Sequence, residues 1–114
     1  MTIRNKPKRR TTITPEMLEI LAKGIRRRRH KVEVARAMFG ITVYEPDTGA
    51  PIARLNPVPG TDRFTVRWWS GHRQRWMPAE ALGDAVMTLG DAVMTLEEAG
   101  PYISANEEFW IELE

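Results

Sequence analysis

From Val32 to Met77 the chain is cut into short runs that suit strands, separated by glycine- and proline-bearing turns. Val32-Glu33-Val34 alternates, and Ile41-Thr42-Val43-Tyr44 is β-branched and aromatic, the side chains that pack best on a pleated surface. Gly40 lies between them and points to a hairpin. Glu45-Pro46-Asp47-Thr48-Gly49 has the composition of a turn. Pro51 to Leu55 reads as a third strand, ended by Pro57-Val58-Pro59-Gly60. Arg63 to Trp69 reads as a fourth and Arg73 to Met77 as a fifth, joined through Ser70-Gly71-His72. Helices are expected on either side. Thr14-Pro15-Glu16 supplies a hydroxyl N-cap, a proline at the first helical position and an acid in the positive first turn. The predicted helix runs from about Pro15 to Arg28, with Met17, Leu18, Leu21 and Ile25 on one face. Pro78-Ala79-Glu80 opens a second predicted helix, which Gly100-Pro101 closes. The pattern predicts an α+β fold: an N-terminal helix, an antiparallel sheet of four to five strands, and a C-terminal helix packed on the sheet. The terminal Phe109-Trp110-Ile111 carries enough apolar area to dock as a short strand or anchor.

A tandem duplication sits inside the second predicted helix. Leu82 to Thr88 is followed at once by the same seven residues, Leu89 to Thr95. Seven residues make nearly two helical turns, so the second copy rotates the apolar face by only about 20°. Leu82, Ala85, Val86, Leu89, Ala92, Val93 and Leu96 then stay on one stripe, and the helix grows by about 10 Å. Such a stripe overhangs its own sheet or reaches a second chain, which makes a homo-oligomer through the extended second helix one expected partner. A hairpin competes, Ala85 to Leu89 and Ala92 to Leu96, turning at Gly90-Asp91. The helix is favoured because the proline start, Glu80, Glu97 and Glu98 all fit one.

At 114 residues the chain is one domain, read as 14–114 after a polar, basic arm, 1–13, without periodicity. There is no cysteine, hence no disulfide framework and no thiolate metal site, which fits a reducing cytoplasm. No apolar stretch follows the basic N-terminus, and no run approaches the ~18 residues of a membrane span, so neither a signal peptide nor a membrane association is expected.

Charge is divided along the chain. All 17 Lys and Arg lie between Arg4 and Arg75 against six acids, a net of +11, whereas Trp76 to Glu114 holds nine acids and no Lys or Arg, a net of −9. Either one end meets an anionic partner or the two ends neutralise each other. Lys6, Lys8, Arg9 and Arg10 in the arm and Arg26, Arg27, Arg28, Arg29 and Lys31 after the first helix form two dense cation runs. They are candidates to neutralise nucleic-acid phosphates, with affinity falling steeply as salt rises. A solvated face, or one that meets the acidic C-terminal region, is the plainer reading.

The segment 64–76, FTVRWWSGHRQRW, adds aromatic rings to arginines. With a three-residue turn at 70–72, Trp69 faces Arg73, Arg67 faces Arg75, and Val66 faces Trp76. Phe64, Val66, Trp68 and Trp76 then form a core face, and Thr65, Arg67, Trp69, Arg73 and Arg75 the opposite one. A Trp among three Arg can stack a base while the guanidiniums hold phosphates. The alternative is that the acidic second helix covers this face and pairs the arginines with Glu80, Asp84 or Asp91. Ala53-Arg54, Trp68, Trp76 and Phe109-Trp110, with Val34 and Val43-Tyr44-Glu45, resemble a small bacterial family with no assigned function, domain-of-unknown-function family 3024. The resemblance covers about residues 17 to 111. It implies a helix, a β-hairpin, an Ala-Arg strand, a Trp-rich hairpin and a helix closing on a Phe-Trp pair, and it implies no activity.

Lys31 to Thr42 has the flavour of a helix-turn-helix, but Ala35 stands five residues before Gly40, off the usual spacing, and Pro46 and Gly49 would break the second helix. For catalysis the chain is poor. Ser70 and His72 share a tight turn that does not align a nucleophile with a base. No His/Asp/Glu spacing suits a metal, there is no phosphate-binding glycine loop, and Glu97-Glu98 and Glu107-Glu108 read as solvated acids. No cofactor is expected. The sequence therefore predicts a small non-catalytic protein that uses its basic arm and helix to bind nucleic acid or another polyanion, with a protein-protein interaction or self-assembly module, pairing its basic half with an acidic C-terminal helix, as the alternative.

Overall fold

A computed structural model describes residues 11–79, 86–88 and 91–114. The first helix, α1 (Pro15–Gly24), begins where its cap chemistry places it. The Thr14 hydroxyl accepts the Met17 N–H at 3.3 Å, and Pro15 and Glu16 fill the first turn. It ends four residues short of the predicted Arg28, because Arg26 turns its N–H to the Ser104 hydroxyl at 2.7 Å instead of continuing the helical ladder. Ile25 is already extended, and Arg29 takes a positive φ of 71°. The arm also ends earlier than expected: Ile13 is buried in the core. Residues 1–10, with Lys6, Lys8, Arg9 and Arg10, lie outside the described residues.

Among the described residues seven strands follow in one antiparallel sheet: β1 (Glu33–Ala37), β2 (Gly40–Tyr44), β3 (Pro51–Pro57), β4 (Arg63–Ser70), β5 (Arg75–Pro78), β6 (Val86–Thr88) and β7 (Asp91–Thr95). Their order is β1-β2-β3-β4-β7-β6. β4 is the axis. One edge pairs with β3 from Phe64 to Trp68. The other is shared, Arg63 to Val66 with β7 and Arg67 to Ser70 with β5. The segment of the helix-turn-helix pattern is thus the β1–β2 hairpin.

The α+β class and the order of helix, sheet, helix hold, but the second helix does not open at Pro78. It is α2 (Leu96–Ala105), with Pro101 inside it. The competing hairpin reading describes the duplicated segment better: β6 and β7 pair, with Thr88 opposite Asp91. Residues 80–85 and 89–90 of the predicted helix lie outside the described residues. β7 is a strand because the free edge of β4 offers it four paired residues and because Ala92, Val93 and Met94 are all buried there. Among the described residues the helical stripe expected for self-assembly is not formed: Val86–Thr88 and Asp91–Thr95 are strands, and Ala92 and Val93 are buried within the fold.

The core gathers Leu21 and Ile25 around Ile41, Val43, Leu55, Phe64 and Val66, closed by Leu96, Ile103, Phe109 and Trp110. The two helices touch at glycines. A Cβ on Gly100 would stand 2.5 Å from the Gly24 Cα, which no side chain tolerates. Past α2 a short 3-10 turn, Glu107–Phe109, seats Phe109 and the fully buried Trp110, whose indole N–H donates to the Ile103 carbonyl at 2.8 Å. The expected aromatic anchor is present; Ile111 beside it is exposed.

Candidate polyanion-binding site at one end of the sheet

Antiparallel pairing brings five strand ends together: the start of β1, the end of β2, the start of β3, the end of β4 and the start of β5. The loop from α1 to β1, with Arg26, Arg27, Arg28, Arg29, His30 and Lys31, and the loop from β4 to β5, with His72 and Arg73, both reach this end. The acidic segment after α2 lies there too, because Glu112 and Glu114 contact the two loops.

The arginine run is divided by folding. Arg27 is half-buried and internally paired: its guanidinium bonds Glu107 at 2.8 Å and Glu114 at 3.1 Å, donates to the Ser104 carbonyl at 3.1 Å, and lies 5.5 Å from the Trp110 ring centroid. The Glu107 hydrogen bond, ahead of Glu114, holds its pKa above the ordinary arginine value. Arg27 is therefore not available to an external phosphate while these contacts stand. Arg26, Arg28, Arg29 and Lys31 are exposed and pair with no acid among the described residues. His30 sits beneath them, its ring 5.3 Å from that of Trp110, with Nε2 3.3 Å from Glu114 and Nδ1 3.5 Å from Glu45.

The Arg/Trp hairpin forms, in a register three residues away from the predicted one. Ser70 faces Arg75, Trp69 faces Trp76, Trp68 faces Met77 and Arg67 faces Pro78. The loop is Gly71 to Gln74, closed by the Arg73 N–H donating to the Ser70 hydroxyl at 3.1 Å and by the Gln74 amide donating to the Gly71 carbonyl at 2.5 Å. An odd shift exchanges faces. Trp76 leaves the Val66 side and joins Trp69 edge to face, with centroids 5.3 Å apart, while Arg75 moves to the Ser70 side. Arg67 and Trp69 remain on one face; Arg73, in the loop, and Arg75, at the edge, are exposed and pair with no acid among the described residues. Glu80 and Asp84, the expected acidic cover, lie outside the described residues.

The like-charge pair expected within this hairpin occurs one strand away, where Arg67 faces Arg54 of β3. Arg54 spends its donors on neutral acceptors: Asn56 Oδ1 at 3.1 Å, Thr42 Oγ1 at 3.3 Å and the Met38 carbonyl. Arg54, Trp76 and Gly71 were not legible as site residues, since register and loop closure place them.

Two depressions flank the acidic segment. One of ≈ 530 Å³ is lined by Arg28, Arg29, His30, Leu113 and Glu114. The other, ≈ 200 Å³, lies against Trp69, Glu112 and Leu113. Among the described residues, no group of three or more His, Asp or Glu is arranged to hold a metal ion, and no helix is long and apolar enough to cross a membrane. No protein-family model, curated protein or solved structure matches the chain.

Proposed function

We propose that this protein is a non-catalytic binding module for nucleic acid or a comparable polyanion, which it meets at the basic end of its sheet. One observation carries the reading: six exposed cations, Arg26, Arg28, Arg29 and Lys31 from one loop, Arg73 from the other and Arg75 from the start of β5 beside it, lie at the same end of the fold and have no acid partner among the described residues. Cations spread over two loops match a ligand whose charge is spread along a strand. The Trp69–Trp76 pair beside them supplies ring surface on which a base can stack, which favours single-stranded nucleic acid over a uniform duplex. Thr11 to Ile13 border the opposite end of the sheet, beside Ala37, Gly40 and Pro57, so Lys6, Lys8, Arg9 and Arg10, outside the described residues, form no part of this reading.

The test is a titration of a fluorescent oligodeoxythymidylate at low and moderate salt, with a duplex and inorganic polyphosphate as competitors. Saturable binding that weakens as salt rises is expected, with quenching of tryptophan emission by the single strand and not by polyphosphate. No binding to any of the three at low salt sinks the reading.

A further inference from the structure

The acidic segment touches both basic loops. Glu112 accepts the Gly71 N–H through its two carboxylate oxygens, at 3.0 and 2.8 Å. Two residues on, Glu114 bonds Arg27 at 3.1 Å and lies 3.3 Å from His30 Nε2. Between them Leu113 borders both the depression beside Trp69 and the one beside Arg28 and Arg29. We infer that residues 112–114 are an internal stand-in for the anionic ligand, an autoinhibitory contact that a polyanion displaces when it binds. The inference rests on the polyanion reading and adds the regulation of that same site.

The chemistry of the contact supports it. A carboxylate on a backbone N–H takes the position that a phosphate oxygen would take on the same group. Gly71 has no side chain to hold a ligand away; a Cβ there would run into the Glu112 carboxylate. The amide is thus an anion seat, with Arg73 close by in the same loop, and Glu112 fills it. The hold is also weak enough to be exchanged. Glu112 and Glu114 are exposed, so the Glu112 bond to the Gly71 N–H is open to water, and the Glu114 pair shares Arg27 with Glu107; contacts of exposed carboxylates contribute little each and are screened by salt. A ligand with several phosphates would replace them together. Release can leave Trp110 in place, because it is fully buried and bonded to Ile103 whereas Ile111 just after it is 66% exposed; what it gives up is the packing of the partly buried Leu113 and the Leu113 and Glu114 N–H bonds to the Trp110 carbonyl. The hinge would fall between Trp110 and Ile111.

The experiment compares the Glu112→Gln/Glu114→Gln protein with a control, Glu16→Gln/Glu97→Gln, which changes net charge equally at exposed positions in the first turns of the two helices, on other elements. Affinity for the same oligodeoxythymidylate at low salt is read for both. The tail variant should bind about five- to tenfold more tightly than the control, the gain expected from removing two weak competing contacts. Equal affinity of the two variants, with the unaltered chain binding, overturns the inference and leaves the polyanion reading standing. Absence of binding by all three proteins overturns that reading and the inference with it. A second measurement uses the unaltered chain, and so survives a tail variant that fails to fold. The Gly71 amide resonance and the Glu112 side-chain carboxyl resonance should shift together as oligonucleotide is added. A Gly71 amide that stays in place at saturation overturns the inference.

Discussion

At Ser104 one hydroxyl joins two helices. It accepts the Arg26 N–H at 2.7 Å and donates to the Gly100 carbonyl at 2.8 Å, directly above the Gly24–Gly100 contact. The first turn after α1 is fixed by this side chain and by the absence of side chains at the two glycines. Gly100→Ala is expected to destabilise the fold by about 1–3 kcal/mol, the usual cost of overpacking a close contact, read as a lower urea midpoint; an unchanged midpoint would show that the helices separate freely. A second residue-scale prediction concerns Glu98 at the start of α2. Its carboxylate accepts the Thr95 N–H at 2.9 Å and the Thr95 hydroxyl at 3.0 Å. Those bonds, the backbone one first, hold its pKa below the ordinary carboxyl value, with a smaller contribution from Arg63. A carboxyl whose pKa is depressed in the folded state favours folding when ionised. Its contribution is complete above the unfolded-state pKa and is lost as pH falls through the folded one. Glu98→Gln, which keeps a capping side chain, should lose less stability on acidification than the unaltered chain, in urea unfolding series taken at successive pH values.

The duplicated heptad shows how an element is chosen by its surroundings. Leu-Gly-Asp-Ala-Val-Met-Thr offers helical spacing and strand-forming side chains at once, and nothing local decides between them. The deciding partner is the edge of β4 from Arg63 to Val66, which is distant in sequence. A chain lacking residues 82–88 should therefore keep β7, lose β6 and still unfold cooperatively, with amides 92–95 protected from hydrogen exchange. Loss of that protection would mean that β7 depends on β6. The same contrast runs through the fold. The Thr14 cap, the strands β2, β3 and β4 and the Phe109-Trp110 anchor could be read from the sequence, because each rests on local chemistry or on large apolar area. The end of α1 and the β4–β5 register could not. The first depends on Ser104, 78 residues from Arg26, and the second on a side-chain hydrogen bond inside the loop. The site was legible to the same depth. The density of cations at 26–31 was plain, but Arg27 differs from its neighbours only because folding brings Glu107 and Glu114 to it.

For the molecule as a whole, the sequence splits charge into a basic first part and an acidic last part, and the fold brings the two parts into contact at one end of the sheet. Arg27, Glu107 and Glu114 neutralise one another there, and Arg63 lies 3.9 Å from Glu98 farther along. Among the described residues, Arg26, Arg28, Arg29, Lys31, Arg73 and Arg75 are exposed and pair with no acid, and they form the surface offered outward. This division can be measured, because internal and external charges respond differently to salt. A cation that contacts phosphate adds about 0.7 to the salt slope of binding to a single strand. Replacing Arg28 and Arg29 together by Ala should then lower the slope of log K against log salt by about 1.4, with little change in the thermal midpoint, since neither is held by an acid among the described residues. Arg27→Ala should do the reverse. It removes the pairing to two acids and the contact with Trp110, at a cost to stability of about 1 kcal/mol, and leaves the slope nearly unchanged, because Glu107, outside the displaced segment, still holds the guanidinium at 2.8 Å when Glu114 is exchanged. Anisotropy titrations of an oligodeoxythymidylate over a series of salt concentrations, alongside thermal unfolding of each variant, read both quantities. If Arg27→Ala lowers the slope as much as Arg28→Ala/Arg29→Ala does, the arginine run acts as one undivided patch and its partition between internal and external charge is wrong.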